Sequence, residues 1–141
     1  MGLTFPVRLA SVERFLVSQH GARRFLTDAE EAILDRWAGV IVEAIADDWP
    51  VDTGLSSSSW EWLIFDDLDE GIGFTIINET PYVQFIHRTG THATPALWET
   101  LIPQIATQYA PAMMAELMAR IQIEEATPQQ FYGPSETRAR A

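Results

Sequence analysis

The spacing of apolar residues predicts a long amphipathic helix in the first half of the chain. Residues 27–30 read Thr-Asp-Ala-Glu, the form of a capping box, in which a threonine oxygen and a glutamate carboxylate accept hydrogen bonds from free backbone N–H groups. Pro50 cannot donate such a bond, so we expect the helix to end near Asp48. Apolar residues recur between these limits at three- and four-residue steps, at Ile33, Trp37, Val40, Ile41, Ala44 and Ile45.

The middle of the chain changes to a two-residue period, which predicts two β-strands. One runs from Trp60 to Phe65 and the other from Phe74 to Asn78. The acidic, glycine-ended link over residues 66–71 has a length that suits an antiparallel hairpin. Apolar residues occupy both faces of the strands, so we expect one face to meet helices and the other to meet a neighbouring subunit.

A second long helix is predicted towards the end of the chain. Pro103 suits its first turn, and Pro111 is expected to kink it because proline removes a backbone hydrogen bond. An apolar stripe follows at four-residue steps, at Ile105, Tyr109, Met113, Leu117 and Ile121.

These elements predict an α+β domain over residues 27–124, in which a small antiparallel sheet packs against an N-terminal helix and a long kinked C-terminal helix. Segment 1–26 is expected to form a short helix and a lead-in to this domain. Segment 125–141 becomes polar, with prolines, a glycine and a basic end, and is expected to be a flexible tail.

Composition narrows the class of protein. A chain of 141 residues fits one domain with one core, and the absence of cysteine excludes disulfides and thiolate chemistry. We expect no secretory signal and no membrane helix, since no apolar run is long enough. The net charge of −11 repels phosphate backbones, so general nucleic-acid binding is disfavoured.

Several polar groups resemble parts of catalytic or metal sites. The acidic run over residues 66–70 lacks the register of a calcium loop, and we read it as a solvated turn. His20, His87 and His92 show no ligand spacing. Ser56–Ser59 lack a nucleophile elbow, and a single Asp-Thr-Gly at residues 52–54 would need a symmetric dimer to act as an aspartic protease. We expect no catalytic, metal or cofactor site.

Five tryptophans are many for so small a domain. Trp60 and Trp62 stand two residues apart on one strand face, where large aromatic residues are often interface anchors. We take them as candidate interface residues, together with Phe85 and Arg88.

An ordered set of short motifs resembles the neck or tail-completion proteins of long-tailed bacteriophages, often described as minor tail components. The chain has Pro-Val-Asp-Thr-Gly-Leu at 50–55, then two predicted strands, then Asn-Glu-Thr-Pro-Tyr at 78–82 and Gly-Thr at 90–91. The likeness covers residues 27–124. The matching positions are Pro50, Asp52, Thr53, Gly54, Asn78, Pro81, Tyr82, Gly90 and Thr91.

The resemblance implies roles for these positions and partners for the chain. Pro50 and Gly54 would bracket a helix-to-strand corner, and Asn78 would end a strand by side-chain hydrogen bonding. The implied subunit joins a ring in the virion, between portal-side and head-tail connector proteins and the tail tube. DNA would pass nearby without specific binding, helped by acidic walls.

Two other readings stay open at this stage. A hydrolase or metal enzyme predicts polar groups converging in a pocket. An acidic phage-encoded binding module or regulator acting on a host protein predicts a clustered carboxylate face and a small fixed oligomer.

Overall fold

A computed structural model describes residues 2–49, 59–80, 83 and 96–126. Within them the order of elements is β1 (Leu3–Arg8), α1 (Ala10–His20), α2 (Asp28–Asp48), β2 (Trp60–Asp67), β3 (Gly71–Asn78) and α3 (Leu97–Ala126). The three helices and the small antiparallel sheet confirm the predicted α+β class.

The sheet has the order β1-β3-β2, with both pairs antiparallel. The β2–β3 hairpin was predicted, but β1 was not. It comes from segment 1–26, which therefore shares its sheet with the rest of the chain. Pro6 lies in this strand, and proline is unfavourable in a paired strand because it has no backbone N–H to donate. Pro6 is tolerated here because an edge strand can leave one side of its backbone unpaired.

The register separates the residues of the sheet into two faces. Ile72, Phe74 and Ile76 of the central strand point to one face and are fully buried. The residues of β1 and β2 that pair with them point to the same face, which we call the inner face. The three helices cover this inner face and build a single core with it. The alternate residues of the three strands point to the opposite face, which we call the outer face.

Helix α2 begins and ends where predicted. The Thr27 side chain accepts a hydrogen bond from the Glu30 backbone N–H at 3.2 Å, and the Glu30 carboxylate accepts one from the Thr27 backbone N–H at 2.9 Å. The predicted buried stripe is displaced, since Ile33, Trp37, Val40 and Ala44 are only partly buried. The fully buried hydrophobic positions are Leu34, Ala38, Ile41, Val42 and Ile45. Contact with the sheet on one side and α3 on the other explains this wider buried face.

Helix α3 begins at Leu97, earlier than expected, so Pro103 lies inside the helix rather than in its first turn. The predicted stripe is buried at Ile105, Met113, Leu117 and Ile121. Tyr109 is partly buried, with its ring 6.4 Å from that of Trp37. The helix continues across Pro111 to Ala126, so Glu125 belongs to α3 rather than to the tail.

Helix α1 confirms the short helix expected in segment 1–26, and an ion pair ties it to the sheet. Arg8 donates to the two carboxylate oxygens of Glu13 at 2.7 and 3.0 Å, and the Ile72 backbone N–H donates to Glu13 Oε2 at 3.0 Å. Hydrogen bonds from Arg8, opposed by partial burial, hold the pKa of Glu13 below its ordinary value. This junction lies directly beside Gly71.

Gly71 and Gly21 both adopt positive φ, at +88° and +87°, so they form a matched pair for testing this junction. A Cβ at Gly71 would lie 2.2 Å from Glu13 Oε2, whereas a Cβ at Gly21 would meet nothing within 4 Å. Gly21→Ala should lower the free energy of unfolding by about 1 kcal/mol through backbone strain. Gly71→Ala should cost about 0.5–1.5 kcal/mol more, because Glu13 and Arg8 must shift and their hydrogen bonds at this junction weaken. Urea denaturation of both variants measures the difference, and equal losses would contradict the assigned contact.

Candidate interaction surface

The described helices leave the outer face of the sheet uncovered. It is formed by alternate residues of the three strands, namely Thr4, Pro6, Arg8, Glu61, Leu63, Phe65, Asp67, Gly71, Gly73, Thr75 and Ile77. Leu63 is 65% exposed, while Phe65 and Ile77 are half-buried beside it. Apolar side chains therefore run across the middle of this face, with charged residues towards its ends, an arrangement typical of protein interfaces.

Trp60 and Trp62, which the sequence suggested as anchors for a neighbouring subunit, lie on the inner face instead. The rings of Trp60 and Trp49 meet edge to face at 5.0 Å. Trp62 donates through its indole N–H to Asp35 Oδ1 at 2.9 Å, and its ring lies against Gly39. Both side chains are half-buried, so they mainly attach β2 to α2.

The two tryptophans also form one wall of a groove beside β2. The groove has a volume of about 500 Å³ and opens between the edge of the sheet and α2. Its lining is mixed, with Arg36, Gly39, Val40, Val42, Glu43, Ala46, Trp60 and Trp62. Arg36 and Glu43 place one cation and one carboxylate on an otherwise apolar surface.

Most positions of the motif that resembles the phage family lie outside the described residues. These are Pro50, Asp52, Thr53, Gly54, Pro81, Tyr82, Gly90 and Thr91, and the same holds for Phe85, Arg88, Ser56–Ser58, His87 and His92. Asn78 is described, and its predicted role is confirmed: it is the last residue of β3, it is fully buried, and its Oδ1 accepts a hydrogen bond from the Thr80 backbone N–H at 3.0 Å.

The acidic run at the hairpin is only partly a solvated turn, so that interpretation was wrong for Asp66. This residue is buried and accepts hydrogen bonds from Arg23 at 2.6 Å and from the Leu26 backbone N–H at 2.7 Å. Asp67 closes the turn by accepting from the backbone N–H groups of Asp69 and Glu70, both at 2.6 Å. The described residues contain no group of three or more side chains that could hold a metal ion.

A buried polar network joins the α1–α2 linker to the end of α3. Arg24 donates to both oxygens of Glu30 at 2.9 and 3.0 Å and to Glu125 Oε2 at 2.6 Å. The Glu30 side chain is fully buried. The Thr27 hydroxyl donates to Glu124 Oε2 at 2.8 Å. The polar groups of this network hold the α1–α2 linker, α2 and the end of α3 together.

The charges of this network stabilise one another. Burial raises the pKa of Glu125, but hydrogen bonds from Arg24 and then His20 outweigh it and bring the pKa below its ordinary value of 4.5. Burial lowers the pKa of Arg24, but the hydrogen bonds to Glu30 and Glu125 outweigh it and bring the pKa above its ordinary value. His20 Nδ1 lies 3.1 Å from Glu125 Oε1, which gives the one described histidine a structural partner.

Sequence reasoning located Glu30 through the capping box but missed its pairing with Arg24. It also missed Arg23, Asp66 and Glu125 as partners. Their contacts span between 40 and 105 residues of sequence, and no local pattern reports such a separation.

Comparisons with protein-family models, with curated proteins and with solved structures find no match for this chain. In the described part of the chain, no helix is both long and apolar enough to cross a membrane.

Replacing Glu30 tests whether the buried network stabilises the fold. Glu30→Ala should lower the free energy of unfolding by about 3–5 kcal/mol, because it leaves Arg24 buried with only Glu125 as a charged partner. Asp47→Ala changes an exposed carboxylate of the same helix and should stay within about 0.5 kcal/mol of the wild type. Denaturant unfolding measures both variants. A loss in Glu30→Ala no larger than in the control would show that the network is energetically neutral.

The low pKa of Glu125 predicts a pH dependence of stability. A carboxylate whose pKa is depressed in the folded state stabilises the fold above its unfolded-state pKa, and this contribution is lost as the pH falls through the folded-state value. The wild type should therefore exceed Glu125→Gln in stability at neutral pH, and the gap should shrink below about pH 4.5. Unfolding curves across this range measure it, and a gap independent of pH would contradict the assignment.

Proposed function

We propose that this chain is a structural protein of a tailed phage or a phage-derived particle. It acts as a neck, tail-completion or tail-terminator component and joins the DNA-filled head to the tail as one subunit of a ring. The observation that carries the proposal is the outer face of the sheet, where Leu63, Phe65 and Ile77 form an apolar strip that the described helices leave uncovered.

The arrangement of the sheet supports assembly as the mode of action. One face of the sheet already has a complete core, with Ile72, Phe74 and Ile76 fully buried under the helices. A neighbouring subunit on the outer face would remove the remaining apolar strip from water, which is worth roughly 25 cal/mol per Å² buried. In a ring the contact is heterologous, so this face meets a different surface of the next copy.

The polar groups of the described residues also favour assembly over catalysis. Glu13, Glu30 and Asp66 each accept hydrogen bonds from an arginine and from a backbone N–H. Groups held in this way brace secondary structure, and they do not converge on a pocket. The order of the motifs resembles that of phage neck proteins, and this resemblance supports the head-tail junction as the site of assembly.

The charge of the chain suits a position beside passing DNA. A net charge of −11 on 141 residues makes a ring of copies strongly acidic, and acidic walls repel the phosphate backbone. Cryo-electron microscopy of the assembled ring tests this part of the proposal. Carboxylates lining the lumen would support it, and a basic lumen would exclude it.

Two leucines of nearly equal exposure test the outer face. Leu63 lies on this face and is 65% exposed, whereas Leu68 lies in the hairpin turn and is 68% exposed. Leu63→Asp should prevent ring assembly, because a neighbour would have to bury the added carboxylate without a partner. Leu68→Asp should assemble as the wild type does. Both variants should keep the wild-type free energy of unfolding within about 0.5 kcal/mol.

Electron microscopy of particles produced with each variant measures the outcome. Separate full heads and finished tails are expected without the protein and with Leu63→Asp, and joined particles with Leu68→Asp. Joined particles formed in the absence of the protein would overturn the proposed function. A small fixed oligomer bound to a host protein would favour a regulatory binding module.

A further inference from the structure

The outer face of the sheet is accessible to another molecule across its whole width. Leu63 of β2 is 65% exposed, and the Arg8 side chain of β1 is 56% exposed. Thr4, Pro6 and Glu61 of the same face are exposed as well. These five residues stand on both outer strands of the sheet, so a partner can reach the face from one side to the other.

Two opposite charges occupy diagonally opposite corners of this face. Arg8 of β1 pairs with Gly73, and Glu61 of β2 pairs with Ile77. Thr75 lies midway between Gly73 and Ile77 on the central strand. Arg8 and Glu61 are therefore about equally far from Thr75 in opposite directions, and the face has a positive and a negative corner related through its centre.

Both corner groups can bind a further partner. Arg8 donates through Nε and Nη2 to Glu13, which leaves the N–H groups of Nη1 for another carboxylate. Glu61 is exposed, and among the described residues none binds its carboxylate. A surface that presents a cation and a carboxylate in this way matches a partner with the opposite arrangement.

A second copy of the same face has that opposite arrangement. Two such faces can be related by a twofold axis that lies between them, perpendicular to the diagonal from Arg8 to Glu61. Arg8 of each copy then lies opposite Glu61 of the other, so two pairs of opposite charge form at once. The strands of the two sheets cross at close to a right angle, which is one of the two usual arrangements of packed sheets.

The same rotation brings the apolar side chains of the two copies together. Leu63 of each copy lies over Gly73 of the other, and Ile77 lies over Pro6. A Cβ at Gly73 would lie 2.6 Å from Phe65 Cζ, so the ring of Phe65 lies across the central strand at this point. Leu63 therefore meets an aromatic ring of the second copy, and the apolar strip of each copy covers that of the other.

The area of the face indicates that such a dimer is weak. Strands of six and eight residues, spaced about 4.8 Å apart, cover roughly 350 Å². A stable interface buries about 800 Å² on each partner. Two copies with a net charge of −11 also repel each other. The association is therefore reversible and depends on concentration.

We propose that the free protein forms a weak twofold dimer through the outer face, in which Arg8 of each copy pairs with Glu61 of the other. The dimer covers Leu63 in solution and opens when a neighbouring subunit takes the place of the second copy. Self-association of this kind limits ring formation before the particle is ready. Only this last consequence rests on the proposed function, because the dimer itself concerns the free protein.

Charge reversal at the two corners tests the dimer. Arg8→Glu and Glu61→Arg each place like charges opposite one another and should weaken association at least about tenfold. Arg14→Glu and Glu70→Arg are the matched controls, because they make the same charge changes at exposed residues outside this face. Both controls should associate as the wild type does. Sedimentation equilibrium of the full-length chain, up to about 1 mM, measures each dissociation constant.

An equimolar mixture of Arg8→Glu and Glu61→Arg gives the sharper test. In a mixed dimer the new carboxylate at position 8 lies opposite the new arginine at position 61, and the native Glu61 lies opposite the native Arg8. Both charge pairs are thereby restored, so the mixture should associate about as strongly as the wild type. Contact between two different surfaces of the chain would not produce this recovery.

Three results would overturn the proposal: a wild type that stays monomeric, single variants that associate as the wild type does, and a mixture as weak as its components. Urea unfolding shows whether each variant is folded. If a second carboxylate beside Glu13 prevents Arg8→Glu from folding, Arg8→Gln replaces it, and its mixture with Glu61→Arg should still associate more strongly than either component. Failure of the dimer would leave the joining of heads and tails intact, whereas particles joined without the protein would exclude that function and leave the dimer standing.

Discussion

The structure depends on the burial of the central strand on one side only. Ile72, Phe74 and Ile76 occupy alternate positions of β3 and are fully buried, and both other strands take their register from it. A slip of one residue would turn these three side chains outward and bring Thr75 and Ile77 inward. The position of every helix against the sheet, and the composition of the outer face, follow from this register.

Two neighbouring arginines in the α1–α2 linker connect it to elements that are far away in the sequence. Arg24 connects the α1–α2 linker to both Glu30 and Glu125, while Arg23 connects it to Asp66. Such buried pairs gain little over well-packed apolar residues, but they are strongly unfavourable when one partner is missing. They therefore specify how the linker, the hairpin and the end of α3 meet, more than they add net stability.

The sheet has three surfaces at which another chain could associate, namely its outer face and its two edges. The outer face exposes Leu63, the edge strand β1 contains Pro6, and the edge strand β2 contains no proline. Exposed apolar strips and intact edges promote association, and a protein made for assembly uses them where a monomeric protein would block them. In the proposed ring, the outer face serves contacts between copies.

Local patterns in the sequence were enough to locate several elements. The capping box at Thr27 and Glu30 placed the start of α2, the two-residue period identified the hairpin, and Asn78 was correctly assigned as the end of its strand. Each signal depends on residues within a few positions of one another. The face that each residue occupies, and the residues that pair over long distances, became known only from the folded structure. Strand β1 could not be predicted because its pairing with β3 joins residues about 70 positions apart. The face that Trp60 and Trp62 occupy could not be predicted either, because alternation identifies two faces without saying which one meets the helices.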